Sequence, residues 1–230
     1  MSISLVVFDM AGTTVVDEGA VAKAFQQAML QSGYNIPREH INPIMGYKKP
    51  EAISIMLHRY EADTTLITEE YIEVIHQRFI TAMLNHYHTS NDVEPLGGVE
   101  EVFNYLKGRG IKIGLNTGFS KHIADTILNR LQWKENGLVD FLVASDEVPA
   151  GRPYPHMINK LMSLAGVEDP LEVIKVGDTE VDVNEGKNAG CLYSIAVTTG
   201  AFTKEELLPH EPSFIISNLK EIIPIIESVQ

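Results

Sequence analysis

Five short apolar runs punctuate the chain: Ser4 to Phe8, Ile111 to Asn116, Phe141 to Ala144, Val173 to Val176 and Tyr193 to Val197. Apolar residues at successive rather than alternate positions are what a strand buried on both faces requires. Between the later runs the spacing turns helical, over Val99 to Lys107, His122 to Leu131, Pro155 to Leu164 and Asp182 to Ala189. Strand and helix alternating in this way predict an α/β fold, a doubly wound parallel sheet of Rossmann-like form with helices on both faces. Ligands of such sheets sit beyond the carboxyl ends of the strands. The polar residues that close each run are therefore the ones to examine.

One stretch breaks the alternation. From about Asp17 to His88 the pattern is helical throughout, with apolar residues at helical spacing in Ala20 to Leu30, Pro50 to Tyr60 and Glu69 to Tyr87. This predicts an α-helical cap over residues 17–91, inserted into a core made of residues 1–16 and 92–230. The polar stretch Thr89 to Gly98, with Pro95, Gly97 and Gly98, reads as the returning hinge.

Composition narrows the partners more than the fold. The 230 residues carry a net charge of −13, which opposes nucleic acid and anionic membrane surfaces. A small phosphorylated substrate stays open, because a local group of cations or a metal can reverse the sign inside a cleft. A single cysteine, Cys191, allows no internal disulfide and fits a reducing cytoplasm. No apolar run reaches membrane-spanning length. The histidines are scattered without metal-ligand spacing, and no glycine-rich nucleotide loop is present.

Chemistry gathers at the strand ends. Asp9 closes the first run and is followed by Ala11, Gly12, Thr13 and Thr14, small residues and hydroxyls that leave room for a ligand. Asn116-Thr117-Gly118 closes the second, and Val176-Gly177-Asp178-Thr179 repeats the apolar-then-acid pattern, with Asp182 four residues after Asp178. An i, i+4 pair shares one face if the helix has begun there. Gly151-Arg152-Pro153 supplies a cation that cannot lose its charge. Two strand-terminal carboxylates, a hydroxyl and an arginine suit Mg²⁺ and a phosphoryl group, and a carboxylate is a competent nucleophile toward phosphorus.

These segments, in this order, resemble the four motifs of the haloacid dehalogenase superfamily. The resemblance implies that Asp9 attacks phosphorus, that Thr117, Gly118 and Thr13 bind substrate oxygens and that Arg152 balances charge. It also implies that Asp178 holds Mg²⁺ with Asp9, and that Asp182 stands beside them as ligand or support. Within the superfamily the chain is most similar to the phosphonatases, the phosphonoacetaldehyde hydrolases. Phosphatases of the superfamily place a second aspartate two residues after the nucleophile, where this chain and the phosphonatases have alanine, Ala11 here. In phosphonatases the backbone carbonyl at that position contacts the metal.

The alanine has a chemical reason. An oxygen leaving phosphorus has a lone pair to protonate, whereas a leaving carbon needs an electron sink, which an imine provides. The phosphonatase cap lysine that forms this imine lies in a stretch resembling Met45-Gly46-Tyr47-Lys48-Lys49, which assigns Lys49 to the role, Lys48 to that of rival and Met45 to the substrate pocket. Pro50 fits the first position of a helix, so Lys49 is expected at or just before its N-cap. Three positions depart from the phosphonatase pattern, a cysteine replaced by Ala20, a histidine by Ala52 and a tyrosine by Phe119. The resemblance thus implies a substrate that is phosphonoacetaldehyde or a related phosphonate, and pairing of two copies through their caps. A phosphomonoesterase using the same nucleophile is the alternative.

Overall fold

The computed structural model describes residues 2–90 and 93–229. Residues 91 and 92, where the cap–core boundary is expected, lie outside the described residues, as do the first and last residues of the expected core.

The first strand, β1 (Leu5–Phe8), is followed by a helical insert made of α1 (Ala20–Leu30), α2 (Arg38–Ile41), α3 (Lys49–Tyr60) and α4 (Glu69–Thr89). The alternation then resumes with α5 (Val99–Gly108), β2 (Lys112–Thr117), α6 (Lys121–Leu131), β3 (Phe141–Ala144), α7 (His156–Ala165), β4 (Val173–Gly177), α8 (Glu180–Asn188) and β5 (Tyr193–Val197). The chain ends with α9 (Lys204–Leu207), β6 (Phe214–Ile216) and α10 (Ile222–Glu227). All strand pairs are parallel and the order is β3-β2-β1-β4-β5-β6.

Burial on both faces explains the continuous apolar runs. Alternate residues of β1 go to opposite sides: Val6 and Phe8 join the core formed with α5 and α6, while Leu5 and Val7 pack with Met157, Ile158 and Leu161 of α7. Phe103 of α5 fills the first of these cores between Phe8 and Trp133, each ring centroid 5.3 Å from its own. The sixth strand was not foreseen from the sequence. It has three residues, lies at the sheet edge and pairs with β5 alone, so it carries too few positions for a period to register.

In the insert, α4 packs against α1 and α3, with Phe79 of α4 edge-on to Phe25 of α1. The two connectors to the core run antiparallel beside each other, the Val16 amide donating to the Glu94 carbonyl (3.0 Å) and the Leu96 amide to that of Thr14 (3.0 Å). Among the described residues no helix is long and apolar enough to cross a membrane.

In this sheet order the topology reverses between β1 and β4, and such a switch point opens a crevice at the carboxyl ends. Asp9 and Asp178 follow those two strands. Phe103→Ala should destabilise the protein by about 3–5 kcal/mol through the cavity it leaves. Urea unfolding measures this, and a loss below about 1 kcal/mol would mean that the β1 face is not packed as described.

Candidate active site

Asp9 sits in a turn held by the carbonyl of Met10, which accepts the amides of Thr13, Thr14 and Val15 at 3.2, 2.8 and 2.9 Å. The turn curls the chain back so that the Thr13 hydroxyl donates to Asp178 Oδ1 (3.0 Å), while the Ala201 amide donates to Asp178 Oδ2 (2.7 Å). Arg152 lies between the strand ends: its Nη2 donates to Asp9 Oδ1 (2.7 Å), and its Nη1 to Asp182 Oδ1. Thr179 caps α8 and donates to Asp182 Oδ2 from its amide (3.2 Å) and its hydroxyl (2.5 Å).

Behind Asp182 the polar network continues into the core. Lys175 of β4 reaches Asp182 Oδ1 (2.9 Å), Glu185 Oε2 (3.6 Å) and Asn116 Oδ1 (2.8 Å). The Asn116 amide in turn donates to both oxygens of Glu185, at 3.0 and 2.8 Å. Among the described residues four buried carboxylates, Asp9, Asp178, Asp182 and Glu185, thus share this network with two cations, Arg152 and Lys175, and the third buried cation, Lys49, makes an ion pair with none of them. Buried charges must be paired or bind metal, and the imbalance falls on Asp178, which has no cation beside it.

Electrostatics follow that imbalance. Burial first, then the charges of Asp9 and Asp182, push the Asp178 carboxyl well above the usual range. Burial also raises Asp9, against the pull of Arg152. Burial pushes Asp182 up as well, but Arg152 and Lys175 outweigh it and hold it below the ordinary value. Glu185 is raised by burial to about 7. Ligand oxygens of Asp9, Asp178 and Asp182 lie within 4.8 Å of one another. The donor set is all oxygen with surplus negative charge, which fits a hard divalent cation. Ala11 lines the same cavity, and its carbonyl accepts no hydrogen bond among the described residues.

The insert closes over these strand ends. A cavity of about 40 Å³ remains, walled by Asp9, Ala11, Thr117, Gly118, Arg152 and Asp178 from the strand ends and by Asp17, Val21, Met45 and Gly46 from the insert side. Contact is tight enough to require glycine: a Cβ on Gly118 would stand 2.5 Å from the Tyr47 carbonyl, and one on Gly46 would stand 2.4 Å from Thr179 Oγ1. The Tyr47 hydroxyl donates to Glu180 Oε1 (3.1 Å), whose other oxygen lies 3.3 Å from His210 Nε2.

Lys49 is 3% exposed, its amine donating to the Tyr47 carbonyl (3.1 Å) with the rings of Phe79 and Phe119 each 5.8 Å away. Burial, then the Arg152 charge, lowers its pKa to about 8 against the opposing pull of Asp9, Asp17 and Asp178. Lys48 is instead half-exposed and reaches the Val148 carbonyl (3.4 Å).

The expected residues are not all alike in position. Asp9, Ala11, Met45, Thr117, Gly118, Arg152 and Asp178 line the cavity directly. Thr13 lies behind Asp178 as its donor, and Asp182 lies behind Arg152 with both oxygens engaged. Lys49 is the first residue of α3 and Lys48 its N-cap, one residue away from the expected register. Asp178 precedes α8 rather than beginning it, so the two acids do not share a helix face, and Asp182 comes into line through the Thr179 capping box. Lys175, Glu185 and Asp17 were not foreseen. For Lys175 a signal existed, since a lysine inside an otherwise apolar strand buried on both faces must find a carboxylate.

The chain matches the haloacid dehalogenase-like hydrolase family over residues 6–197. A phosphonoacetaldehyde hydrolase of Bacillus mycoides is 35% identical over 228 residues, covering 92% of this chain and 83% of that protein. One from Bacillus cereus is 35% identical over 90% of this chain and 81% of its own length. A solved phosphonoacetaldehyde hydrolase-like protein from Oleispira antarctica superposes with a TM-score of 0.85 over 100% of this chain and 93% of its own, at 24% identity, which speaks for the fold.

The charge imbalance predicts the response to metal. In chelator, Asp178→Asn should raise the melting temperature, by about 2–4 °C for each kcal/mol of repulsion relieved. Added Mg²⁺ should stabilise the wild type and leave Asp178→Asn unmoved. Equal shifts in both proteins would remove Asp178 from the cation site.

Proposed function

This chain belongs to the haloacid dehalogenase-like hydrolase family, and on that premise we propose that it cleaves the carbon–phosphorus bond of phosphonoacetaldehyde or a related phosphonate. Asp9 is the nucleophile and Lys49 the amine that forms an imine with the neighbouring aldehyde. The observation that carries this reading is Lys49 itself, a buried lysine with its pKa near 8, held over Phe119 behind the wall of a cavity whose nucleophilic strand end has Ala11 where an acid would serve an oxygen leaving group.

In this reading the Thr117 hydroxyl and the amide of Gly118, both residues of the cavity wall, receive the phosphoryl oxygens. Arg152 adds its Nε, a buried donor without a partner among the described residues. Asp9, the Ala11 carbonyl and Asp178 would hold Mg²⁺, which when bound neutralises phosphoryl charge, while Asp182 holds Arg152 in place. The Lys49 amine adds to the aldehyde and water is lost, giving the imine. An Asp9 oxygen then attacks phosphorus in line with the carbon–phosphorus bond. The electron pair of that bond flows into the protonated imine and leaves an enamine, so no acid is needed at position 11. Water finally releases phosphate from Asp9 and aldehyde from Lys49.

Residues 17–91 act here as the cap over a core of 1–16 and 92–230. Exposed Leu30, Ile55 and Val74 on the helices of the insert support pairing of two copies through it.

Phosphonoacetaldehyde and a panel of phosphate monoesters, assayed side by side with Mg²⁺, test the reading. Asp9→Asn should abolish all turnover, and Lys49→Arg should lose carbon–phosphorus cleavage by about 10³-fold or more. Borohydride added with substrate should leave one adduct on Lys49, seen by mass spectrometry. Ordinary monoesterase efficiency without aldehyde turnover would establish the phosphomonoesterase alternative instead.

The pH dependence carries its own sign. A lysine near pKa 8 is mostly ammonium below that pH, and only the free amine adds to an aldehyde. The rate at which an amine-directed acylating reagent modifies Lys49 in the substrate-free protein should therefore rise about tenfold per pH unit up to pH 8 and level off above it. A limb that bends near 10 would mean an unperturbed lysine.

A further inference from the structure

The cavity wall holds four ionisable side chains, Asp9, Asp17, Arg152 and Asp178. Three of them belong to the cluster at the strand ends, where Asp9 and Arg152 pair directly and Asp178 is bound by Thr13 and Ala201. Asp17 stands apart, on the connector that enters the insert, and shares the cavity wall with Val21, Met45 and Phe119. No ion pair engages it among the described residues, and its one hydrogen bond is Oδ1 accepting the Val21 amide (3.2 Å), in the first turn of α1. That bond fixes the carboxylate at the cavity rim and leaves Oδ2 free.

Imine formation demands two proton movements. Lys49 must lose a proton before it can add to a carbonyl, and the hydroxyl of the resulting carbinolamine must gain one to leave as water. The surroundings of Lys49 supply little for either. Phe79 and Phe119 flank the amine, the Tyr47 carbonyl accepts its hydrogen bond but cannot carry a proton away, and no histidine lines the cavity. Arg152 does not deprotonate, and Asp9 is committed to phosphorus.

Resting on the phosphonate reading above, we propose that Asp17 is the acid–base group of the imine step. Through a water in the cavity, its carboxylate takes the proton that the Lys49 ammonium gives up, and the free amine adds to the aldehyde carbon. The resulting carboxylic acid returns that proton to the carbinolamine hydroxyl. The carbon–oxygen bond breaks, water leaves, the nitrogen lone pair closes the protonated imine and Asp17 is a carboxylate again. Protons balance over the step, ammonium and aldehyde becoming protonated imine and water. The pull that Asp17 exerts on Lys49 agrees with the two groups lying within electrostatic reach.

The test compares Asp17→Asn with Asp17→Glu by the rate of borohydride trapping on Lys49. Asparagine accepts the Val21 amide as aspartate does but transfers no proton, while glutamate keeps the carboxylate and loses the short-armed helix contact. The proposal expects Asp17→Asn to trap about 100-fold or more slowly than wild type, and Asp17→Glu to retain more of the rate. A role confined to supporting α1 reverses that ranking, and Asp17→Asn trapping at the wild-type rate likewise overturns the proposal. Wild-type turnover of phosphonate without any Lys49 adduct overturns the imine reading and this inference together. An adduct on wild-type Lys49 with unimpaired Asp17→Asn overturns this inference alone.

Discussion

A buried guanidinium fixes most of what lies around it. Arg152 enters from the loop before α7 and joins Asp9, at the end of β1, to Asp182, in the first turn of α8. Neither carboxylate is solvated, and removing a cation from between two buried anions typically costs about 3–5 kcal/mol. The surrounding chain is shaped to let this contact form. Gly177 at the end of β4 is one such accommodation, since a Cβ there would stand 2.1 Å from Asp182 Cγ. Lys175 closes the arrangement from behind, and Asn116 with Glu185 holds Lys175 in turn. Three strands and a helix are therefore tied together by one polar network rather than by apolar packing alone.

That network also explains which parts of the site could be read from the sequence. Strand-terminal residues announce themselves, because an apolar run that stops at an acid has few structural uses; Asp9, Thr117 and Asp178 could be located this way. Arg152 was legible through its Gly-Arg-Pro setting. Lys175 signalled only that some carboxylate must meet it, and the partners of Lys175 and Asn116 stayed hidden. Their partners are 59 residues apart or lie on another element, a relation that no local pattern encodes. Thr13 was legible as a hydroxyl near a ligand, but not as the donor that holds Asp178. The helical insert was legible as a whole, since three long amphipathic segments follow one another, whereas the three-residue β6 was not.

The insert and the strand ends are coupled through a short stretch of backbone. Gly46 and Tyr47 press on Gly118 and Thr179, and the Tyr47 hydroxyl reaches Glu180. The carbonyl of that same Tyr47 accepts the Lys49 amine. Seating this stretch on the core therefore does two things at once. It forms one wall of the cavity, and it strips water from Lys49. The depressed pKa of Lys49 is a property of the closed arrangement, because burial is its largest cause. An insert that swung away would return the amine toward its ordinary, protonated state.

The departures from the phosphonatase pattern take on a different meaning in this light. Read as letters, Phe119 for tyrosine and Ala52 for histidine are losses of polar groups. In the structure Phe119 stacks on Phe79, meets Tyr87 edge-on and faces the Lys49 amine, and Ala52 is fully buried in the same core. A histidine at position 52 would need both space and a hydrogen-bond partner in that core. The apolar replacements are thus mutually consistent, each deepening the desolvation that lowers the amine's pKa. What they remove is a nearby proton carrier. An amine freed by dry aromatic surroundings still has to pass its proton to something, and the carboxylate left free on the cavity wall is that of Asp17.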